Sequence, residues 1–131
     1  DMAVNSRKLV REGETWHGPL WKRGEGYLGT WWWNERHVAV RGRFLQYWDT
    51  TPMFRSGETP KGSFDLGETI RLSYRPPEDA PAPLFYIHIG FRSGRELWFY
   101  TDTVENWRQW QTLLSDVLKR IEVEIPEGQG G

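Results

Sequence analysis

The spacing of apolar residues changes once along this chain, near Asp102, and that change limits the possible folds. Before it, apolar and aromatic residues lie in short segments separated by Gly, Pro or Asp clusters, a pattern typical of antiparallel strands. After it, apolar residues recur at spacings of three and four, as on one face of a helix: Val104, Trp107, Trp110, Leu114, Val117 and Ile121. Asp102, followed three residues later by Glu105, resembles a capping box. The sequence therefore predicts a mainly β fold closed by one C-terminal helix.

Seven short strands can be placed before that helix. They are Pro19–Arg23, Trp32–Val40, Arg43–Trp48, Gly62–Leu66, Thr69–Tyr74, Leu84–Phe91 and Arg95–Thr101. Turns are expected at Arg41-Gly42 and Ser93-Gly94, because Gly tolerates the backbone conformations that tight turns need. The proline-rich segment Arg75–Pro83 is predicted to form a loop.

The length of 131 residues fits one domain with a single core. We expect residues 1–15 to form a polar extension, 16–123 the folded domain and 124–131 a flexible tail. Because the chain starts with Asp and ends in a Gly-rich segment, we expect it to be a fragment of a larger host protein. No apolar run approaches the roughly 20 residues of a membrane-spanning helix, so any membrane contact is expected to be peripheral. The lack of Cys favours a reducing, cytoplasmic location.

Charge is distributed unevenly between the two halves of the chain. Residues 1–61 carry 10 Lys/Arg and 7 Asp/Glu, whereas residues 62–131 carry 7 and 11. The positive half suits an anionic partner, but this mild excess does not suit duplex nucleic acid, which binds through many cationic contacts. We therefore expect an anionic ligand near the N-terminal half and no nucleic acid.

Three segments imitate nucleotide-binding motifs but lack the surroundings that those motifs need. Gly24–Gly29 fits GxGxxG, Val38–Arg41 imitates the VAxK strand of protein kinases, and Asp65–Gly67 imitates DFG. A kinase also needs a lysine on that strand, a catalytic Asp/Asn loop and a second lobe. A dinucleotide-binding loop opens a helix, whereas this one precedes a tryptophan-rich strand.

The three histidines carry no recognisable catalytic or metal-binding motif. His17, His37 and His88 are scattered along the sequence, and each is interpreted as a surface or strand residue. We therefore expect no enzymatic activity, no cofactor and no metal site.

Seven strands followed by one helix is the order of a pleckstrin homology (PH) domain, and five motifs carry the resemblance. They are Gly18-x-Leu20-x-Lys22, Trp33-x-x-Arg36-x-Val38-x-Val40, Leu45-x-Tyr47, the glycine-led segment Lys61-Gly62 to Leu66, and Trp110 four residues before Leu114. These resemble the family's first four strands and the tryptophan of its helix, over Gly18–Ile121. The resemblance implies a PH-like barrel of seven antiparallel strands in two bent sheets, capped at one end by the helix and open at the other.

Strand alternation then indicates which side chains reach the open end, or mouth. Val38 and Val40 belong to the core, so Arg36 and Asn34 share their face and lie nearer the mouth. Lys22 reaches the same mouth from the neighbouring strand. In PH domains this mouth grips phosphoinositide headgroups, because charge-assisted hydrogen bonds to phosphate are strong. The resemblance implies an anionic headgroup site at Lys22, Arg36 and the position of Asn34. We expect Arg23 and Tyr47 to lie close by, and Arg55 and Lys61 to reach the site from the next loop.

Three positions depart from the PH pattern, and each removes or opposes positive charge. Asn34 stands where the family has a cation, Asp49 where it often has a basic residue, and Glu25 lies in the first loop. They predict weak or low-specificity binding of a phosphoinositide or inositol phosphate. The alternative is that Lys22 and Arg36 are a solvated pair at a strand end.

The tryptophans divide into two groups. Trp33 and Trp110 match framework positions of the family and are expected to be structural. Exposed aromatic residues beside a Gly-rich loop suit a membrane interface or a protein groove, and Tyr27, Leu28, Trp31 and Trp32 are the candidates. Local packing of these residues is the alternative.

Two functional hypotheses remain. In the first, the domain is a non-catalytic signalling module that docks a larger protein on an anionic cytoplasmic membrane. In the second, the same fold docks a protein partner without a lipid ligand, as PTB-like and EVH1-like relatives do. The charge polarity and the aromatic loop favour lipid, whereas Asn34 and Asp49 favour a protein; we favour lipid.

Overall fold

One curled antiparallel sheet forms most of the molecule, and a long helix packs across it. The computed structural model describes residues 7–25, 31–78 and 85–124. The strands are β1 (Val10–Glu12), β2 (Thr15–Glu25), β3 (Trp31–Arg41), β4 (Phe44–Trp48), β5 (Gly62–Asp65), β6 (Thr69–Ser73), β7 (Phe85–Phe91) and β8 (Glu96–Thr101). The helices are α1 (Thr51–Arg55) and α2 (Val104–Glu124), and a 3-10 turn (Leu66–Glu68) joins β5 to β6. None of the helices described is long and apolar enough to cross a membrane.

The strand order explains the curled shape. Hydrogen-bonded neighbours follow the order β5-β4-β3-β2-β8-β7-β6, and β1 pairs with β2 outside this path. β2 lies in the middle, pairing with β3 over its whole length and with β8 only at Trp21 and Lys22. The sheet therefore has two halves that share β2, and β5 and β6 form its two ends.

The core lies between the concave side of the sheet and α2. Trp110 is fully buried there, and Leu114 and Val117 are each 1% exposed. Sheet residues packed in the same cluster are Leu20, Val38, Val40, Leu45, Ile87, Ile89, Leu97 and Phe99. The spacing of three and four along α2 thus places one apolar face against the strands.

The seven predicted strands and the C-terminal helix are confirmed, with differences at their ends. The first predicted strand, Pro19–Arg23, is the middle of β2, which begins at Thr15. The cap of α2 is Thr103, whose Oγ1 accepts a hydrogen bond from the Asn106 N–H at 3.3 Å, so the expected cap at Asp102 is wrong. The N-terminal half of the predicted loop Arg75–Pro83 is described, and the rest lies outside the described residues.

Part of the segment expected to be a polar extension packs onto the sheet. β1 pairs with the start of β2, and Leu9 is 4% exposed within the core. The Asn106 side-chain oxygen accepts a hydrogen bond from the Leu9 N–H at 2.8 Å. The chain passes so close to β2 at this point that a side chain at Gly18 would meet the Lys8 carbonyl oxygen at 2.8 Å.

A helix that the sequence did not predict, α1, covers the convex side of β3. Its Phe54 packs with Ala39 and Trp48 in a second buried cluster. Thr50 caps α1 by accepting the Met53 N–H, and Pro52 lies in its first turn. Both faces of β3 are therefore buried in this region.

A chain of hydrogen bonds runs through this second cluster. His17 and His37 are buried, and His17 Nδ1 lies 2.9 Å from His37 Nε2. His17 Nε2 lies 3.0 Å from Glu12, and His37 Nδ1 lies 2.9 Å from Thr51 Oγ1. Burial lowers the pKa of His37 to about 4, and the nearby positive charge of Arg55 acts in the same direction. The histidines interpreted as surface or strand residues are thus buried strand residues, and so is His88 at 6% exposure.

Candidate functional site

Three of the predicted site residues share one face at the end of the β2–β3 hairpin. In the hairpin register Lys22 lies opposite Asn34, and Leu20 lies opposite Arg36. Residues directly opposite each other in antiparallel strands project to the same face. Lys22, Asn34 and Arg36 therefore lie on the side of the core residue Leu20, and all three are half-buried.

Tyr47 forms the wall of this mouth. It lies opposite Val38 on β4 and is 8% exposed. The Lys22 ammonium lies 4.7 Å from the centre of its ring, a cation–π contact. Gly62, opposite Tyr47 on β5, leaves room for that ring, because a Cβ at Gly62 would overlap Tyr47 Cε1.

Asp49 joins two cations of the mouth. Its carboxylate lies 3.1 Å from Arg36 Nε and 3.1 Å from Lys61 Nζ. The Lys61 backbone N–H also donates to the Tyr47 carbonyl at 2.8 Å, which holds Lys61 beside β4. The sequence identified Asp49 as a charge that opposes the site, but not that it would bring Arg36 and Lys61 together.

Two cations predicted to lie at the mouth, Arg23 and Arg55, lie elsewhere. Arg23 lies opposite Trp33, on the convex face, because it is one residue out of phase with Lys22. Arg55 belongs to α1, where its guanidinium contacts Glu12 at 2.8 Å, on the side of the buried histidines. The mouth thus contains Lys22, Arg36 and Lys61 as cations, with Asn34, Tyr47 and Asp49 between them.

The tryptophans next to the mouth divide between the two faces of β3. Trp32 lies on the mouth side over Gly24, with its indole nitrogen 2.6 Å from the position of a Cβ there, and is 45% exposed. Trp33 is half-buried on the convex face, where its ring lies 5.0 Å from Tyr100 and 5.8 Å from Tyr86. Tyr27, Leu28 and the side chain of Trp31 lie outside the described residues.

The part of the chain that the structure describes holds no group of three His, Asp or Glu side chains arranged to bind a metal ion. The mouth gathers three cations at one place. Lys22 contacts the Tyr47 ring, and Arg36 and Lys61 contact the Asp49 carboxylate, an arrangement whose chemistry suits an anion.

No protein-family model matches the sequence, and no curated protein sequence matches it significantly. Solved structures do match its fold. The PH domain of human oxysterol-binding protein-related protein 11 has a TM-score of 0.66 and 18% identity, covering 88% of this chain and 89% of that one. The PH domain of ArhGAP27 has a TM-score of 0.63 and 15% identity, covering 79% and 98%. A structure of SifA and SKIP has a TM-score of 0.64 and 17% identity, covering 79% and 96%.

These similarities and the strand order define the class of the molecule: the chain has the fold of a PH domain. The half-barrel sheet and the C-terminal helix are the parts shared with these structures. At 15–18% identity the likeness concerns the fold alone.

Proposed function

We propose that this domain is a non-catalytic targeting module that holds a larger protein on an anionic, phosphoinositide-containing cytoplasmic membrane. The observation that carries the proposal is the convergence of three cations on one corner of the barrel. Lys22 contacts Tyr47, and Arg36 and Lys61 contact Asp49, two residues further along the chain. An inositol phosphate presents several charged oxygens, so such a corner can contact it from more than one side.

Asp49 sets the strength of this interaction. Arg36 and Lys61 already share its carboxylate, so a phosphate must replace an existing contact instead of meeting two unpaired cations. Asn34 lies beside Lys22 without contributing charge. Both features support weak, low-specificity binding, with the affinity of the host protein shared among several contacts.

Trp32 supplies an apolar contact on the same side of the hairpin. The Trp32 side chain is 45% exposed. Its indole combines an apolar ring with a polar N–H group, which suits the boundary between lipid headgroups and acyl chains. Its position beside Gly24, on the face of Lys22, would let insertion and headgroup contact occur together.

The test is binding to vesicles with and without phosphoinositides, measured by cosedimentation at low and physiological salt. We expect binding that weakens as salt increases and that falls at least tenfold in Lys22→Ala/Arg36→Ala, since each basic residue near an anionic surface contributes about 1 kcal/mol. Arg23→Ala/Arg71→Ala removes the same charge outside the mouth and should change binding less. Full binding by the Lys22/Arg36 variant would overturn the proposal.

A second test separates geometry from summed charge. Asn34→Lys adds one positive charge on the mouth face, whereas Glu35→Lys changes the charge by two on the convex face, where Glu35 contacts Arg7. A third cation within ~6 Å of a phosphate should contribute on the order of 1 kcal/mol, a severalfold gain. Calorimetric titration with a soluble inositol polyphosphate should therefore favour Asn34→Lys; equal gains, or a larger gain from Glu35→Lys, contradict a pocket at Asn34.

The second candidate function is protein docking without a lipid ligand. It is favoured by the Asp49 carboxylate, which already contacts two of the three cations at the mouth. It is also favoured by the similar structure that contains SifA and SKIP. This hypothesis predicts that Lys22→Ala/Arg36→Ala leaves vesicle binding unchanged and that recruitment depends on a protein partner.

A further inference from the structure

A second concave surface lies at the opposite end of the β2–β3 hairpin from the mouth. A groove of about 1340 Å³ runs between β1 and α2. One wall is formed by four consecutive residues, 8–11, and the other by one face of α2 from Arg108 to Arg120. At about 1.5 Å per residue that face is roughly 18 Å long, which matches five or six residues of extended chain.

The floor of the groove is apolar. Leu9 and Leu113 are 4% and 6% exposed, and Trp16 is half-buried against the core. Beyond Gly42 and Arg120 a smaller cavity of about 350 Å³ continues the groove to Phe44, which is 44% exposed. An occupant thus meets apolar contacts along the centre and an exposed aromatic ring at one end.

The walls are cationic. Five basic residues line the groove, namely Lys8, Arg11, Arg108, Lys119 and Arg120, against the two acids Glu14 and Asp116. Within the described ranges, no ion pair involves any of these seven residues. The excess of positive charge is therefore not neutralised by the described part of the fold itself.

We propose that this groove, which we call the β1–α2 groove, binds an acidic, extended segment of a protein partner. β1 pairs only with β2 among the described strands, so its second edge has backbone groups suited to an added strand. A peptide can place carboxylates at the five cations and a neutral or basic residue at Glu14 and Asp116. A nucleic-acid strand carries a phosphate at every step, and a bilayer surface is too flat to reach a floor between a strand and a helix.

The experiment titrates 15N-labelled protein with an eight-residue peptide in which Asp and Glu alternate with Leu and Val. The same peptide with Asn and Gln in place of the acids is the control ligand. The acidic peptide should shift the Trp16 indole signal and the amide signals of α2, and the neutral peptide should bind at least tenfold more weakly. No shifts at millimolar peptide, or shifts confined to the mouth, would overturn the proposal.

Matched variants locate the binding. Lys119→Glu/Arg120→Glu should weaken peptide binding at least tenfold, whereas Arg71→Glu/Arg75→Glu, with the same change in net charge on and just after β6, should alter it less than twofold. Lys119→Gln/Arg120→Gln serves if the reversed variant does not fold. Equal loss in both pairs would mean non-specific attraction, and loss of vesicle binding in the groove variant would assign the groove to a membrane; both results refute the proposal. Lys22→Ala/Arg36→Ala should keep peptide binding, so a failure here is distinguishable from a failure of the proposed membrane function.

Discussion

The burial of His37 predicts that the domain loses stability in mild acid. His37 is 4% exposed, and its two ring nitrogens face His17 and Thr51. Burial lowers its pKa from 6.5 to about 4, so the folded protein keeps the ring neutral where the unfolded chain protonates it. We therefore compare the stability of the domain at pH 7 and at pH 5.

Proton linkage determines the direction and size of the change in the free energy of unfolding. Between pH 6.5 and pH 4 the unfolded state binds more protons at His37 than the folded state, so the free energy of unfolding falls as pH falls. With a folded-state pKa of about 4, His37 alone should account for a loss of about 2 kcal/mol between pH 7 and pH 5. That is a large fraction of the ~5–15 kcal/mol that stabilises a typical domain.

The neighbouring carboxylate does not interfere in this range. Hydrogen bonds from Arg55 and His17 lower the pKa of Glu12 to about 2. A carboxyl group with a lowered pKa contributes stability above about pH 4.5 and loses it only as pH falls further. Its contribution is therefore constant between pH 5 and pH 7.

The assay is urea unfolding at pH 5, 6 and 7, compared with His37→Gln, which retains a donor and an acceptor but does not titrate. The variant should lose about 2 kcal/mol less than the wild type between pH 7 and pH 5. Thr51→Ala is the control, because it removes a hydrogen-bond partner of His37 and keeps the titrating ring, so it should lower stability at each pH without removing the slope. Identical pH slopes for the wild type and His37→Gln would show that His37 does not cause the loss of stability in acid.

Two further predictions concern packing. Trp110→Ala should lower the free energy of unfolding by roughly 3–5 kcal/mol, because Trp110 is fully buried and its truncation would leave a cavity. Trp110→Phe should lose less stability, and a melting curve unchanged by Trp110→Ala would argue against the role of α2 in the core. Gly62→Ala should lower stability by about 1–3 kcal/mol through its overlap with the Tyr47 ring and should weaken anion binding at Lys22. The adjacent, exposed Ser63→Ala is its control; equal thermal stability of the two variants would show that Tyr47 moves at no cost.

Most of the fold could be predicted because each strand carries its own alternation and α2 is long enough to show a helical period. The helix α1 could not, since five residues form little more than one turn and no period can be measured. Its start signals were present, however, in the cap Thr50 and in Pro52. The spacing of apolar residues thus predicts no element over the convex face of β3, and the burial of His37 results from this short helix.

The residues of the mouth could be predicted only where alternation along a strand determines which face a side chain lies on. Lys22, Asn34 and Arg36 share a face by alternation, and the same rule places Arg23 on the other face. The direction of Arg55 depended on the path of the chain after β4, which α1 determines. The placement of Lys61 beside Asp49 is likewise a property of the folded loop, which alternation along a strand does not determine.

The burial of β3 on both faces also limits how much order a ligand must impose. Two residues after Arg36, Val38 is fully buried on one side, and Ala39 is fully buried on the other. The backbone beneath Arg36 is thus held between two packed faces. For the proposed anion site, the entropy cost of binding would then come mainly from immobilising side chains at the mouth, at roughly 0.5–1.5 kcal/mol for each side chain.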